Sequence, residues 1–158
     1  SQFANIGNPR QEVFDLHEIL YLLIQLYSAD SRVQLDCTPL PRTVLINADR
    51  THINRLFTNL IKNAIEAHED INDAKVIIYQ SLRENEMLIS IKDYGHGIPV
   101  NMRPKIFTPN FTTKSSGTGL GLAICKGIVE KANGHIWFQT KENEGTTFFV
   151  SLPLAERV

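Results

Sequence analysis

The sequence predicts an α+β fold, a two-layer α/β sandwich in which a mixed, mostly antiparallel sheet carries helices on one face. Three segments place apolar residues at helical spacing, and the strand-like segments between them occur in pairs. Short turns join the paired strands, which excludes a wholly parallel sheet because parallel neighbours need long crossover connections. The 158 residues, 42% of them hydrophobic, are enough for one domain with a substantial core.

Charge and cysteine content exclude several classes of protein. The 16 basic and 17 acidic residues nearly cancel, so the chain has no electrostatic footprint for nucleic acid and we expect no nucleic-acid partner. No apolar run is long enough to span a bilayer, and no segment has the pattern of a signal peptide. Cys37 and Cys125 are too few for a disulfide framework or a zinc site, and we interpret them as buried thiols of a reducing compartment.

The first third of the chain predicts one helix and two short strands. Residues 1–10 are polar and irregular. Apolar residues at helical spacing predict a helix over 14–27, in which we interpret His17 as a surface residue. Segments 33–37 and 44–46 predict short strands on either side of a proline-containing turn.

The next segment predicts an amphipathic helix that begins after Asp49, a residue suited to the N-cap position. Asn59, Asn63 and Glu66 follow at i, i+4 and i+7, so they line one edge of the helix, which can face a cleft. An asparagine carbonyl oxygen suits Mg²⁺, although two asparagines alone more often only solvate a helix edge. The apolar stripe consists of Ile53, Leu56, Phe57, Leu60, Ile61 and Ala64.

A predicted hairpin over 75–82 and 87–92 leads into a long segment, 93–118, that is rich in Gly, Pro, Thr, Ser and Asn. A loop of this length inside a compact domain is usually functional or mobile. Because it has few apolar residues to bury, we expect it to form a mobile lid.

The last third of the chain predicts a helix followed by a second hairpin. Helical spacing covers 119–132, and Gly134 is well placed as the C-cap residue of that helix. Segments 135–140 and 146–152 have the pattern of paired strands.

The first glycine-rich motif follows the predicted hairpin directly. The Asp93 carboxylate at the end of a strand can accept a hydrogen bond from an exocyclic amine such as that of adenine. Gly95 and Gly97 let the backbone approach a flat ring closely, and Ile98 and Pro99 complete the motif. By itself the Asp-x-Gly-x-Gly pattern is equally compatible with an ordinary turn.

The second glycine-rich motif opens the predicted helix over 119–132. Glycines at a helix start expose backbone N–H groups to an anion, and the helix dipole favours negative charge there. The spacing differs from that of a dinucleotide-binding turn, and the chain contains no P-loop sequence. The alternative, a glycine-rich hinge, is weaker because hydroxyls and one lysine lie just upstream, as expected for a triphosphate cradle. The motif consists of Gly117, Thr118, Gly119, Leu120, Gly121 and Leu122.

The order of these motifs resembles the GHKL ATPase superfamily, whose members have a Bergerat-type ATP-binding fold. Within it the chain looks like the ATP-binding catalytic domain of a bacterial sensor histidine kinase, and its lid resembles that of nitrogen-regulation-type kinases. The resemblance extends over roughly residues 14–154. The matching boxes are the asparagine box at 59–67, the first glycine box at 93–99, the phenylalanine box at 106–114, the second glycine box at 117–124 and the closing motif at 145–148.

The resemblance implies roles for particular side chains. Asn63 would coordinate Mg²⁺, while Asp93 would hold the adenine amine with help from Thr147. Asn59 and Lys114 would have catalytic roles, Lys114 by meeting the phosphates when the lid closes. The implied nucleotide-binding set is Asn59, Asn63, Asp93, Gly95, Gly97, Ile98, Phe107, Phe111, Thr113, Lys114, Gly117, Thr118, Gly119, Leu120, Gly121, Leu122 and Thr147.

Two positions depart from patterns in the superfamily. Asn110 stands where a second aromatic residue is common, so the lid would pack more loosely. Asn59 stands where the hydrolytic branches place a glutamate that activates water, and an asparagine cannot act as a general base. The second departure favours transfer of phosphate to a protein acceptor over hydrolysis.

The resemblance therefore implies a domain that binds Mg·ATP and donates the γ-phosphoryl group to a histidine on a separate dimerisation domain. Residues 1–10 would be the end of the dimerisation helix or a remnant of the linker, and 11–158 the ATP-binding catalytic domain. The partners would be that phosphoacceptor domain and a response regulator, within a homodimeric kinase whose catalytic part is cytoplasmic, free or membrane-anchored. The alternatives are a serine kinase or ATPase of the same superfamily, and a degenerate nucleotide-binding module.

Overall fold

The computed structural model describes residues 8–38, 40–109 and 121–155. Within these ranges the chain forms seven strands, three α-helices and two short 3₁₀ helices at Ile71–Asp73 and Val100–Lys105. The strands and α-helices are β1 Gln11–Asp15, α1 His17–Ser28, β2 Gln34–Cys37, β3 Leu45–Asp49, α2 Arg50–Glu66, β4 Lys75–Arg83, β5 Glu86–Asp93, α3 Gly121–Lys131, β6 His135–Lys141 and β7 Gly145–Pro153.

Five strands form the main sheet in the order β2-β4-β5-β7-β6. The β2-β4 pair is parallel, and every other pair in this sheet is antiparallel. The predicted mixed, mostly antiparallel sheet is therefore confirmed, as are both predicted hairpins. The parallel pair exists because the chain runs from β2 through β3 and α2 before it returns as β4.

Within the described ranges, the helices lie on one face of this sheet. Val76, Ile78, Ile89 and Ile91 alternate along β4 and β5 and are buried beneath the helices. The residues between them point the other way, and Tyr79 is 57% exposed there. The molecule is thus a two-layer sandwich, in agreement with the predicted fold class.

A small second sheet corrects the prediction for the first third of the chain. Strand β1 pairs with β3 in antiparallel orientation, with Phe14 opposite Ile46. The predicted helix was therefore extended too far, since residues 11–15 are strand and α1 begins at His17. The predicted strands at 33–37 and 44–46 also lie in different sheets, so they do not form a hairpin.

His17 is buried, contrary to its interpretation as a surface residue. Its side chain is 7% exposed, and its ring stacks on Tyr21 at a centroid distance of 4.7 Å. Nε2 lies 2.8 Å from Oε1 of Gln80 on β4. Because α1 begins at His17, its first turn faces the sheet, and the histidine becomes part of a buried hydrogen-bonded contact.

Helix α2 forms as its sequence predicts. The Asp49 carboxylate caps it, with Oδ1 accepting the N–H of Thr51 at 2.9 Å and of His52 at 3.1 Å. All six residues of the predicted apolar stripe are buried. No helix within the described ranges is both long and apolar enough to cross a lipid bilayer.

At the end of α3, Asn133 rather than the predicted Gly134 takes the left-handed conformation that ends the helix, with φ of 60°. Its N–H donates to the Glu130 carbonyl, and the N–H of Gly134 donates to the Val129 carbonyl, the pattern of a Schellman motif. Gly134 is required for another reason, because a Cβ atom there would lie 2.1 Å from the Ser151 carbonyl oxygen.

Candidate functional site

One edge of α2 connects the start of α3 with the loop after β5, two segments that carry residues of the glycine-rich motifs. Asn59, Asn63 and Ala67 follow at i, i+4 and i+8 and span about 12 Å along the helix. At one end, Nδ2 of Asn59 lies 3.5 Å from the carbonyl oxygen of Gly121, the first residue of α3. At the other end, the Ala67 carbonyl accepts the N–H of His96 at 3.1 Å. The asparagine edge thus runs from the start of α3 to the loop after β5.

Asp93 ends β5 as a buried carboxylate that is 3% exposed. Its Oδ1 accepts two backbone N–H groups, from Gly95 at 2.9 Å and from Thr146 at 3.1 Å. Burial raises the pKa of Asp93, and these two N–H groups, with His68 and His96 nearby, offset part of that increase. Both described bonds engage Oδ1, so they leave Oδ2 for a ligand.

The glycines of the first motif are required by contacts within the protein. A Cβ atom on Gly95 would lie 2.3 Å from the Ala67 carbonyl oxygen. Gly97 has φ of 74°, and a Cβ atom there would lie 2.3 Å from the Lys141 carbonyl oxygen. The sequence had suggested close approach to a flat ring as their purpose, whereas the structure shows close approach to α2 and to the β6–β7 turn.

Thr146, rather than the predicted Thr147, lies beside Asp93. Strand side chains alternate, so Thr146 shares the buried face of β7 with Phe148, while Thr147 faces the opposite side next to Lys92. The threonine beside Asp93 is thus one residue away from the predicted one, and a shift of one residue reverses the face of a strand. Applying the alternation from the buried Phe148 backwards would have identified Thr146.

A hydroxyl pair that the sequence did not reveal connects the two motifs at this site. Oγ1 of Thr140, on β6, lies 2.8 Å from Oγ1 of Thr146. The same Thr140 oxygen accepts the N–H of Ile98 at 2.9 Å. Asp93, Thr146, Thr140 and Ile98 therefore form one continuous set of hydrogen bonds across three strands and the loop.

His68 holds the same loop from the side of α2. Its Nε2 accepts the N–H of Lys75 at 3.2 Å and of Tyr94 at 3.3 Å. Nδ1 lies 3.1 Å from the Ile65 carbonyl, so the hydrogen-bond pattern assigns the ring proton to Nδ1. The histidine thereby joins the end of α2 to the end of β5, a role that nothing in the local sequence indicated.

The predicted lid segment, 93–118, packs against the sheet at residues 106 and 107. Phe107 lies with its ring centroid 6.0 Å from that of Phe138 and 6.3 Å from that of Phe148, and the preceding Ile106 is buried. This packing holds the start of the phenylalanine box, 106–114, against strands β6 and β7. Outside the described residues lie Asn110, Phe111, Thr113, Lys114, Gly117, Thr118, Gly119 and Leu120.

The start of α3 packs closely on α2, the helix that carries Asn59 and Asn63. Leu122 contacts the core, and Cys125 is fully buried against α2, with Sγ 3.7 Å from the Leu56 carbonyl oxygen. Burial raises the pKa of the Cys125 thiol to about 12, partly offset by Asn59 and Arg55. The expectation of a buried thiol is met by Cys125, whereas Cys37 is only half-buried.

The described residues hold no group of three or more His, Cys, Asp or Glu side chains that could bind a metal ion. A divalent cation at this site would therefore depend on amide oxygens and on the oxygens of a ligand. The edge of α2 offers such amide oxygens on two successive turns, at Asn59 and Asn63, both part-buried.

A family model described as the histidine kinase-, DNA gyrase B- and HSP90-like ATPase matches residues 48–156, the part that contains this site. The chain belongs to this ATPase family. Within the family it is similar to histidine kinases. It is 33% identical over 150 residues to the sensor protein kinase WalK of Staphylococcus aureus, covering 90% of this chain and 36% of that protein. The chain thus spans about a third of the length of this relative.

Solved structures of this ATPase family share its fold. The nucleotide-free catalytic domain of histidine kinase ThkA is 32% identical, with a TM-score of 0.77 over 91% of this chain and 95% of that one. The mycobacterial sensor histidine kinase MprB, 24% identical, has a TM-score of 0.79 and supports the fold alone. The match to ThkA covers a whole catalytic domain, so the chain is an ATPase domain of the histidine kinase type.

Proposed function

We propose that this domain binds Mg·ATP between α2, α3 and the loop after β5, and donates the γ-phosphoryl group to a histidine on a separate dimerisation domain. The observation that carries the proposal is the buried Asp93 carboxylate, whose Oδ1 is already engaged by two backbone N–H groups. A buried charge needs hydrogen-bond partners, and an adenine amine donating to Oδ2 would provide the missing one.

The neighbouring hydroxyl suits the rest of the adenine edge. Adenine presents a donor, the N6 amine, next to an acceptor, N1. Asp93 can only accept and Thr146 can donate, and the two side chains lie on the same face of neighbouring strands. Guanine would place its O6 acceptor against the carboxylate and would be disfavoured for that reason.

The asparagine edge suits the metal and phosphate end of the nucleotide. Asn63 would bind Mg²⁺ through its amide oxygen. Asn59, one turn nearer to α3, would contact the nucleotide and have a catalytic role. Mg²⁺ holds few protein ligands and supplies neutralisation of the charge on the transferring phosphoryl group. Lys114 and the backbone N–H groups of residues 117–122 would complete the phosphate contacts.

Asn59 also bears on what accepts the phosphoryl group. Its amide cannot take a proton from water, so efficient hydrolysis would need another base. A superfamily hydrolase is disfavoured for this reason, and so is a serine kinase, since the relatives with matching catalytic domains are histidine kinases.

The partners follow from the same proposal. ThkA has been solved as a complex with the response regulator TrrA, and the matching part of ThkA is 29% identical to this chain. We propose a response regulator as the downstream acceptor, a homodimeric parent kinase with a cytoplasmic catalytic part, and residues 1–10 as the end of its dimerisation helix. Assignment to the nitrogen-regulation subtype stays a prediction.

Calorimetric titration with Mg·ADP, followed by transfer of label from γ-labelled ATP to an added dimerisation domain, tests the proposal. We expect Asn63→Ala to lower affinity in the presence of Mg²⁺, while Asn54→Ala, on an exposed position of the same helix, should not. Label on histidine supports kinase activity. Acid-stable label on serine, release of free phosphate alone, or no binding of nucleotide would each reject it.

A further inference from the structure

His68, just after the end of α2, bonds to the backbone at three places through the two nitrogens of its ring. Nδ1 lies 3.1 Å from the Ile65 carbonyl oxygen. Nε2 accepts the N–H of Lys75, the first residue of β4, at 3.2 Å and that of Tyr94, just after β5, at 3.3 Å. The ring thus ties the end of α2 to the backbone directly beside Asp93.

The partners of this ring determine its protonation state. A carbonyl oxygen can only accept and a backbone N–H can only donate, so Nδ1 carries the proton and Nε2 presents its lone pair. The other neutral tautomer would set a donor against two donors at Nε2. The imidazolium form would do the same, because it carries a proton on both nitrogens. Only the neutral Nδ1–H ring therefore satisfies all three contacts.

Protonation of Nε2 would break two of these bonds at once. The new proton would point at the N–H groups of Lys75 and Tyr94, and the backbone after β5 would lose this attachment to the end of α2. The N–H of His96 would still donate to the Ala67 carbonyl, so the loop stays attached two residues further on. The part released is the one next to Asp93, which the proposed function places against adenine.

Charged groups on the neighbouring elements act on this ring in opposite directions. The Asp93 carboxylate at the end of β5 interacts electrostatically with His68 and favours its charged form. The amines of Lys75 and Lys92, 5.2 Å and 4.9 Å from the centre of the Tyr94 ring, disfavour that form. The other titratable groups nearby lie in the loop after β5 or close to His68 in the chain and are exposed: His96, Glu66, Glu69 and Asp70. Because Asp93 and His96 also titrate, an effect of pH has to be assigned to His68 by substitution.

We propose that His68 is a positioning residue for nucleotide binding that works only in its neutral form, so that the domain loses affinity for ADP as the ring is protonated. The inference rests on the proposed function, because it takes the nucleotide to bind beside Asp93. A nucleotide that favours the neutral ring competes with the proton, and by linkage it keeps the ring neutral to lower pH. Histidine is the side chain that ordinarily changes its charge between about pH 5 and pH 8, and the test spans that range.

A merely structural role for His68 leads to a different result. Affinity would then depend on the size and hydrogen bonds of the side chain but not on its protonation, and a replacement that does not titrate would keep the wild-type pH profile. His68→Gln is such a replacement, because Oε1 of a glutamine can accept hydrogen bonds near the position of Nε2. His135→Gln, at the exposed start of β6, is the matched control, and His96→Gln removes the other histidine near Asp93.

The experiment measures calorimetric affinities for Mg·ADP between about pH 5.5 and pH 7.5 for wild type and the three variants. Titration of the nucleotide and of Asp93 affects all four proteins, so the ratio of wild type to His68→Gln isolates the histidine. Over this range we expect wild type to lose at least about threefold more affinity than His68→Gln, within the roughly tenfold change in neutral fraction typical of histidines. His135→Gln and His96→Gln should keep the wild-type profile.

¹⁵N NMR of the histidine rings gives a second measurement that needs no variant. In wild type without nucleotide, His68 should be the neutral Nδ1–H tautomer at about pH 7.5, and saturating ADP should move the titration of this ring to lower pH. An Nε2–H tautomer, a ring already charged at that pH, or a titration that ADP does not move would overturn the inference even if His68→Gln did not fold.

The outcomes also separate the inference from the function on which it rests. A difference below about threefold between the pH profiles of wild type and His68→Gln would overturn the inference and leave the ATP site intact. Loss of the pH dependence in His96→Gln would do the same, because it would assign the effect to the other histidine. Failure of wild type to bind ADP at any of these pH values would overturn the proposed function as well.

Discussion

At the scale of single residues, the buried Asp93 carboxylate, which we propose as the adenine ligand, carries a cost in stability. Burial raises its pKa despite the N–H groups of Gly95 and Thr146, so the charged form is disfavoured in the folded protein. A raised folded-state pKa means that stability is present below the unfolded pKa of about 3.9 and is lost as pH rises through the folded value. Without a ligand, the domain therefore carries an ionisation penalty at neutral pH.

Asp93→Asn should remove that penalty and the affinity together. We expect ADP affinity to fall roughly a hundredfold. The amide oxygen of Asn can still accept the two backbone N–H groups, but its NH₂ group cannot accept a hydrogen bond from the adenine amine. The unliganded variant should gain stability relative to wild type between about pH 4 and pH 7, since it does not ionise. Urea denaturation at both pH values checks the sign. A wild type that gains on the variant as pH rises would contradict the assignment.

Two glycines make a matched pair for testing which backbone contacts the site requires. Gly97→Ala should destabilise the domain by about 2 kcal/mol or more, because φ is positive and Cβ would meet the Lys141 carbonyl. Gly121→Ala should cost no stability, since nothing in the described structure lies within 4 Å of its Cβ. Thermal unfolding compares them directly. If Gly97→Ala lost no more stability than Gly121→Ala, the close approach to the Lys141 carbonyl would not be what requires a glycine at position 97.

At the scale of elements, α2 depends on a cap at the end remote from the site. Burial raises the pKa of Asp49, but the N–H groups of Arg10, His52 and Thr51 and the His52 ring together bring it below its ordinary value. The stabilisation from this cap is thus present above the unfolded pKa and is lost as pH falls through the folded value. Asp49 and Asp93 consequently respond to pH with opposite signs.

Removal of the cap should affect stability alone. Asp49→Ala is expected to cost about 1–2 kcal/mol at pH 7, while Asp49→Asn, which can still cap, should cost less. The difference between Asp49→Ala and wild type should shrink as pH falls from about 5 to 3. Denaturation curves at several pH values measure it, and calorimetry should find ADP affinity unchanged. A loss of affinity in Asp49→Ala would mean that the cap also shapes the site.

The elements that the sequence predicted correctly are those whose determinants are local. Helix α2 has its cap and its apolar stripe within one stretch of sequence, so both boundary and buried face could be read directly. Strand β1 has only Phe14 buried, and its partner β3 lies about thirty residues later, so pairing across that distance overrode a helical pattern. His17 was misassigned for the same reason, because its burial depends on Gln80 in another element.

The same distinction between local and distant determinants applies to the candidate site. Asp93 is recognisable because a strand, a carboxylate and two glycines are consecutive in the chain. Thr140 accepts the N–H of Ile98 and His68 accepts the N–H of Tyr94, both backbone groups far away in sequence, and no local pattern marks them. Thr146 is intermediate, since strand alternation identifies it once the buried face of β7 is known.

At the scale of the whole molecule, nucleotide binding and folding share one free-energy balance. A ligand that binds only the folded domain stabilises it by RT ln(1 + [L]/Kd), about 2.7 kcal/mol at a hundred times Kd. The variants Asp49→Ala and Asp93→Asn should separate the stability of the unliganded domain from the stabilisation that ADP adds. Asp49→Ala begins less stable but should receive the full increment, because its cap lies at the far end of α2 from the ADP site.

Asp93→Asn should show the reverse. A hundredfold weaker affinity at the same ADP concentration leaves only about 0.4 kcal/mol of stabilisation, although the unliganded variant begins more stable than wild type at pH 7. We therefore expect the order of the free energies of unfolding at pH 7 to change with nucleotide. Asp93→Asn should be the most stable of the three proteins without Mg·ADP, and wild type the most stable with it, as denaturation curves would measure. If the order of the two were the same in both conditions, Asp93 would not be the residue through which nucleotide binding offsets the instability of the unliganded site.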